Sequence, residues 1–179
     1  MGGGLPGNYV HSTPALREYA NTIEAAVTSR FKNVPVKLIL EPGRYLVADA
    51  GVLVTEVVMV SQKLDNGPRW VFVDAGKFGG LIETLDEAIK YPIYTSKDTN
   101  EVATDGVILA GPTCDSMDIL YEKYQYQLPV NLEATDQLYI VGTGAYTTSY
   151  SAVEFNGFPP LAAYYYDSEN ELKNINAAA

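Results

Sequence analysis

Between positions 14 and 31 apolar residues recur at helical spacing, with Leu16, Tyr19, Ala20, Ile23, Ala26 and Val27 forming the stripe. Thr13 suits an N-cap and Pro14 the first helical position, so the pattern predicts an amphipathic helix over 14–31. The period then changes. Positions 36–40 are a short β-branched run, predicted as a strand, which leads straight into Glu41-Pro42-Gly43-Arg44. Loop, helix, strand and loop make one repeat of an alternating α/β barrel or layered sheet, and one repeat cannot close a barrel.

Beyond Arg44 the pattern turns to strands. Positions 51–62 (GVLVTEVVMVSQ) form a long β-rich stretch, and Asp65-Asn66-Gly67 predicts a hairpin turn before a strand over 70–73. Further strands are expected near 93–94, 106–109, 137–141 and 161–166, separated by Pro, Gly and Asn/Asp. Positions 82–90 and 118–126 read as helical. The expected fold is therefore mixed: a C-terminal β-rich domain, barrel or sandwich in type, preceded by the last β/α elements of an incomplete TIM-type barrel. The predicted divisions are a barrel remnant over 1–45, a β-domain over 46–167 and a frayed tail over 168–179.

Composition narrows the function. A net charge of −10 argues against nucleic-acid binding, which needs a basic face, and suits a cationic small-molecule substrate. One cysteine excludes an intramolecular disulfide and points to a reducing, cytoplasmic setting. No apolar run reaches the ~18–20 residues of a membrane span, and the first residues lack the pattern of a signal peptide. One cysteine and one histidine cannot build a zinc site, so no metal is expected. A Ser-His-Asp set would have to use His11, and no nucleophile elbow accompanies it.

Several loops carry candidate chemistry. In Gly111-Pro112-Thr113-Cys114-Asp115 a thiol follows a turn-forming Gly-Pro; it can act as an acid, while the neighbouring carboxylate can bind a cationic substrate end. Gly2, Gly3 and Gly4 offer backbone N–H groups ahead of a helix, an arrangement suited to phosphate. Arg44 follows a strand end and can hold phosphate bidentately. Glu41, at the tip of the same strand, can pair with a protonated ring nitrogen, and the Tyr146 phenol can donate to a phosphate oxygen. Lys77, flanked by small residues, is read as a solvated or ion-paired lysine, and His11 as solvent-facing. The glycines lead the helix with no strand before them, so the chain is expected to begin partway through a larger protein.

Five segments appear in order: Gly2-Gly3-Gly4, Glu41-Pro42-Gly43-Arg44-Tyr45, Gly76-Lys77-Phe78-Gly79-Gly80, Gly111-Pro112-Thr113-Cys114-Asp115, and Gly144-Ala145-Tyr146-Thr147 leading into Glu154-Phe155-Asn156-Gly157-Phe158. With them the chain resembles the carboxy-terminal part of the fold-type III pyridoxal-phosphate decarboxylases, the ornithine/diaminopimelate/arginine group. Aspartate after the cysteine resembles the ornithine and lysine/ornithine branch, since the diaminopimelate branch usually has glutamate there.

The resemblance implies pyridoxal 5′-phosphate as cofactor and a head-to-tail homodimer. Gly2, Gly3, Gly4, Gly43, Arg44 and Tyr146 would hold the cofactor, and Glu41 would pair with its ring nitrogen. Cys114, from the opposite subunit, would return a proton to the substrate carbon. Asp115, with Glu87 or Asp86 beside it, would bind the distal ammonium of a diamino acid, and Phe155 would pack at the dimer contact. The family's cofactor-bonding lysine and ring-stacking histidine lie upstream of these segments. The chain alone is therefore expected to be inactive, as part of an ornithine or lysine/ornithine decarboxylase of putrescine formation. The alternatives are a parent specific for arginine or diaminopimelate, and a non-enzymatic dimerisation or regulatory module that docks on an intact decarboxylase.

Overall fold

The computed structural model describes residues 1–62 and 67–175. Its centre is a mixed sheet built from β1 (Val52–Gln62), β2 (Arg69–Val73), β3 (Ile93–Thr95), β4 (Thr104–Ala110), β5 (Ile119–Pro129) and β6 (Gln137–Val141). The strands stand in the order β3-β6-β1-β2-β4-β5. Every junction is antiparallel except β2–β4, which is parallel. A parallel pair needs a long crossover. Here it runs through short helical turns at Lys77–Leu81 and Ile82–Glu87 and then through β3. That crossover lays Glu83 and Lys90 near the first residues of the chain.

The strands form where alternating apolar positions find a common interior. In β2, Val71 and Val73 point inward with Arg69, while Trp70 and Phe72 are half-buried. Val57, Val107, Leu109, Leu120, Leu138 and Ile140 complete a fully buried layer. Arg69 keeps its place there by donating to the carbonyls of Leu128 and Pro129. A bulge between Val57 and Met59 shifts the β1–β2 register and bends the strand. The strands flanking the predicted turn pair as expected, with Gln62 opposite Arg69, although Asp65 and Asn66 lie outside the described residues.

Four expectations change. First, positions 119–129 form β5 rather than a helix. Leu120, Tyr121, Tyr126 and Leu128 are buried against β4, and the Tyr121 and Tyr126 hydroxyls donate to the carbonyls of Ile89 and Tyr91. Second, the stretch 36–40 makes no ladder; Val36, Leu38, Ile39 and Leu40 are exposed. A strand needs a neighbour, and none pairs with this stretch among the described residues. Third, the front helix, α1, spans Leu16–Phe31 with Ala15 as N-cap, whose N–H is met by Glu18 rather than by a Thr13 cap. No residue of α1 is buried; Tyr19, Ile23 and Val27 are its half-covered stripe. Fourth, the end of the chain is not simply frayed. The strand expected over 161–166 shortens to β7 (Tyr164–Tyr166), which pairs with β8 (Leu172–Asn174) around an Asp167 carboxylate that accepts the N–H groups of Glu169 and Glu171.

The front segment is also tied to the sheet domain. Val10 N–H donates to the Lys90 carbonyl at 3.0 Å. The Tyr9 ring meets Tyr91 edge-on at 5.4 Å, and Gly7 is buried where a side chain would press on Ala48. Among the described residues no helix is long and apolar enough to cross a membrane.

Candidate functional site

Four distant stretches of chain meet around a cavity of about 530 Å³: Gly3 and Gly4, Glu41 to Arg44, Glu83 to Lys90, and Tyr146. Each arrives by a local device. Glu41 N–H donates to the Gly2 carbonyl at 3.4 Å, and a Cβ at Gly3 would stand 2.5 Å from the Glu41 carbonyl oxygen. Only a residue without a side chain lets those two loops touch. After Gly43 the chain turns into a short helix, α2 (Arg44–Val47), followed by the turn Ala48–Ala50.

The loop after β6 is stapled to that turn. Gly142 and Thr143 N–H groups donate to the Gly51 carbonyl at 3.1 Å, and Gly144 N–H to the Ala48 carbonyl at 2.9 Å. The next residue but one, Tyr146, has φ 58°, a left-handed conformation unusual for an aromatic residue. Its ring lies 4.7 Å from the Arg44 guanidinium carbon.

Arg44 is the most constrained group in the cavity. Its Nη1 donates to Glu83 Oε2 at 2.7 Å and to the Tyr9 hydroxyl at 2.8 Å, and its Nη2 donates to Glu83 Oε1 at 2.5 Å. The Glu83 carboxylate and, after it, the Tyr9 hydroxyl hold the guanidinium even more firmly protonated than usual, against the opposing effect of burial. Burial raises the Tyr9 phenol above its ordinary range, more than Arg44 lowers it.

Chemically the cavity suits a phosphate ester on a nitrogen heterocycle. Arg44, the Tyr146 hydroxyl and unhindered Gly-rich backbone supply donors, and a Cβ at Gly43 would press on that hydroxyl at 3.3 Å. The Glu41 carboxylate, exposed at the rim, takes no hydrogen bond among the described residues and is available to a ring N–H. Pyridoxal phosphate therefore fits the residues present. Gly2 touches Glu41 but does not itself line the cavity.

The Cys114 loop is organised separately. Asp118 is buried and accepts from Lys77 N–H at 2.7 Å, Thr113 N–H at 3.1 Å and the Thr113 hydroxyl at 2.8 Å. Gly111 N–H donates to the Asp118 carbonyl, closing the loop at its base. Cys114 is exposed at the tip, and Asp115 accepts Met117 N–H with one oxygen. Neither lines the 530 Å³ cavity within one chain. Thr113 and Asp118 instead border a second cavity of about 420 Å³, where Phe78 and Phe155 stack at 4.0 Å.

The two candidate ammonium-binding carboxylates differ. Glu87 accepts the N–H groups of Glu122, Lys123 and Tyr124 at 2.9, 2.6 and 2.9 Å, which anchors the crossover to β5. Burial pushes its carboxyl up, but these backbone donors and the nearby Lys90 together pull it below its usual range. Asp86 is exposed. Lys77 is not solvated as expected: it is buried, donates to the Ile119 carbonyl at 2.7 Å, and its pKa is lowered by that burial. His11 is exposed at the cavity rim. Among the described residues no cluster of His, Cys, Asp and Glu could hold a metal ion.

Tyr9, Glu83, Lys90 and Asp118 escaped the sequence reading. For Asp118 a signal was present, an acid three residues beyond Asp115 in a Gly-Pro loop; Glu83 and Tyr9 carry no local motif.

Residues 9–144 match the family model described as pyridoxal-dependent decarboxylase, C-terminal sheet domain. The diaminopimelate decarboxylase of Buchnera aphidicola subsp. Schizaphis graminum is 32% identical over 163 residues, 84% of this chain and 39% of that protein. The ornithine decarboxylase of Caenorhabditis elegans is 30% identical over 189 residues, 98% of this chain and 43% of that one. In the solved structure of Helicobacter pylori diaminopimelate decarboxylase complexed with L-lysine, 40% of the chain superimposes on 97% of this one with a TM-score of 0.77 and 30% identity. The chain thus spans about two fifths of the length of such relatives. Diaminopimelate and ornithine decarboxylases both occur among them, so likeness alone assigns no substrate.

Proposed function

Since the chain belongs to the pyridoxal-dependent decarboxylases, whose C-terminal sheet domain it contains, we propose that it furnishes the phosphate cradle and the proton-donating loop of a basic amino-acid decarboxylase. Ornithine or lysine is the substrate this reading favours. The carrying observation is the single cavity that gathers Gly3, Gly4, Glu41, Gly43, Arg44 and Tyr146 from three remote segments.

When bound, pyridoxal phosphate withdraws electrons from the substrate carbon that loses carbon dioxide. Arg44, the Tyr146 hydroxyl and the N–H groups of Gly3 and Gly4 would hold its phosphate. Glu41, on the same cavity, would accept from the ring nitrogen and keep it protonated. The Cys114 thiol, standing free of its own chain's cavity, serves the cavity of a second copy and hands its proton to the substrate carbon. Asp115, with one oxygen left open beside it, binds the distal ammonium of the diamino acid. An unopposed acid there disfavours diaminopimelate, whose distal end also bears a carboxylate. Asp86 is the better second partner, because the Glu87 oxygens already receive backbone donors.

The test is binding. Titration of the purified chain with pyridoxal phosphate and with pyridoxal should show a preference for the phosphate ester that Arg44→Ala abolishes. Equal affinity for the two compounds would remove the cradle.

A second role, docking on an intact decarboxylase, is favoured by the exposed apolar stretch 36–40, with which no strand pairs among the described residues. Restored activity in a partner whose own proton-donating cysteine has been replaced would support it.

A further inference from the structure

The Glu83 carboxylate sits in the proposed phosphate cradle, where an anion of the same sign is to bind, and it holds the residue meant to bind that anion. Two explanations oppose each other. Glu83 is either a competitor that must leave, or the group that aims Arg44. The pattern of donors distinguishes them. Both terminal nitrogens of the guanidinium address Glu83 end-on, and the second hydrogen of Nη1 goes to Tyr9. A guanidinium carries five N–H groups. Those left without a partner among the described residues are Nε–H and the second hydrogen of Nη2. They lie on one edge of the fork, side by side, spaced for two oxygens of a phosphate.

Resting on the cradle reading above, we propose that Glu83 and Tyr9 are positioning residues, fixing Arg44 so that its Nε–H/Nη2–H edge receives the phosphate while the end-on face stays with Glu83. Tyr146 closes the arrangement from the ring side, 4.7 Å from the guanidinium carbon. An arginine held on its end face, one flank and its π-surface has one edge left to offer. Such a clamp favours shape over charge. Glu83 cancels much of the attraction that Arg44 exerts on any anion, so what remains is a preference for a tetrahedral oxyanion that can accept two parallel N–H bonds. The ordering of the arginine is also complete before the ligand arrives, which removes part of the cost of binding.

The test compares inorganic phosphate with chloride, a spherical anion indifferent to the fork. Both are titrated into the full chain while the Arg44 Nε–H resonance, assigned by its loss in Arg44→Lys, is followed by NMR. Wild type should show phosphate shifting the Nε–H signal, with a clear preference for phosphate over chloride. Glu83→Gln removes a negative charge and should leave chloride binding equal or stronger, while the phosphate-to-chloride ratio falls by about fivefold or more. Tyr9→Phe, which keeps the ring packed and removes only the hydroxyl, should lower the same ratio to a smaller extent. A phosphate affinity that rises in Glu83→Gln at least as much as chloride would make Glu83 a competitor and overturn the inference, and so would an unchanged ratio in both variants. If wild type itself binds no phosphate at Arg44, the cradle reading falls first and takes the inference with it; the wild-type arm alone reports that outcome.

Discussion

The carboxylate of Asp118 occupies the space that a side chain at Gly76 would need; a Cβ built there would collide with both of its oxygens. A Cβ at Gly111 would meet the same carboxylate at 2.5 Å. Two glycines from separate loops thus close over one buried acid, which binds the loop of Lys77 to the loop of Cys114.

Asp118→Ala leaves three donors without their acceptor in a buried setting. Lost hydrogen bonds to a charged group predict destabilisation of about 3 kcal/mol. Urea unfolding measures it, and a change below about 0.5 kcal/mol would show that water replaces the carboxylate at no cost.

Gly144→Ala places a methyl group against the Val47 carbonyl oxygen. Overpacking against fixed backbone costs about 1–3 kcal/mol. Because Gly144 N–H also ties the loop to Ala48, the substitution displaces Tyr146 from Arg44. Both the melting temperature and the preference for phosphate esters should fall. Loss of stability alone, with ester preference intact, would separate Tyr146 from the cradle.

Cys114 is the sole thiol and is exposed, so iodoacetamide should label the native chain stoichiometrically. If the loop serves a second copy, labelling slows as protein concentration rises through the dimerisation range. A rate independent of concentration, across a range in which sedimentation detects dimers, would place the thiol away from the contact.

Glu87 gives stability a pH dependence of defined sign. Its carboxyl lies below the usual range in the folded chain, because three backbone N–H donors outweigh burial. The stabilisation is therefore full above the unfolded pKa, about 4.3, and is lost as pH falls through the folded value. At neutral pH Glu87→Gln should reduce stability by about 2 kcal/mol. The gap between variant and wild type should shrink in strongly acidic solution; a gap that widens there would contradict the assignment.

The sheet was largely legible because β1, β2 and β6 carry apolar residues at strand spacing between strong turn signals. β5 was not. Its tyrosines and charges satisfy a helical pattern as well as a strand, and contacts remote in sequence decide between them: the ladder with β4, and the Ile89 and Tyr91 carbonyls that accept from the Tyr121 and Tyr126 hydroxyls. The same holds for the candidate site. Glu41, Gly43, Arg44 and Tyr146 stand in recognisable short motifs, and the structure does bring them to one cavity. Glu83 and Tyr9 are separated from Arg44 by 39 and 35 residues, and no local pattern announces that they will clasp it. Asp115 and Cys114 could be picked out by type, but a single chain holds them apart from that cavity.

Because the cavity wall draws on stretches as far apart in the chain as Gly3 and Tyr150, an occupant bridges segments that are remote from one another in the polypeptide. Such a molecule acts as a removable cross-link: it has no counterpart in the unfolded chain, where those stretches drift apart. Its grip is returned as heat resistance, about 2.7 kcal/mol when present at a hundred times its dissociation constant. A melting curve would then register occupancy without any chemistry taking place.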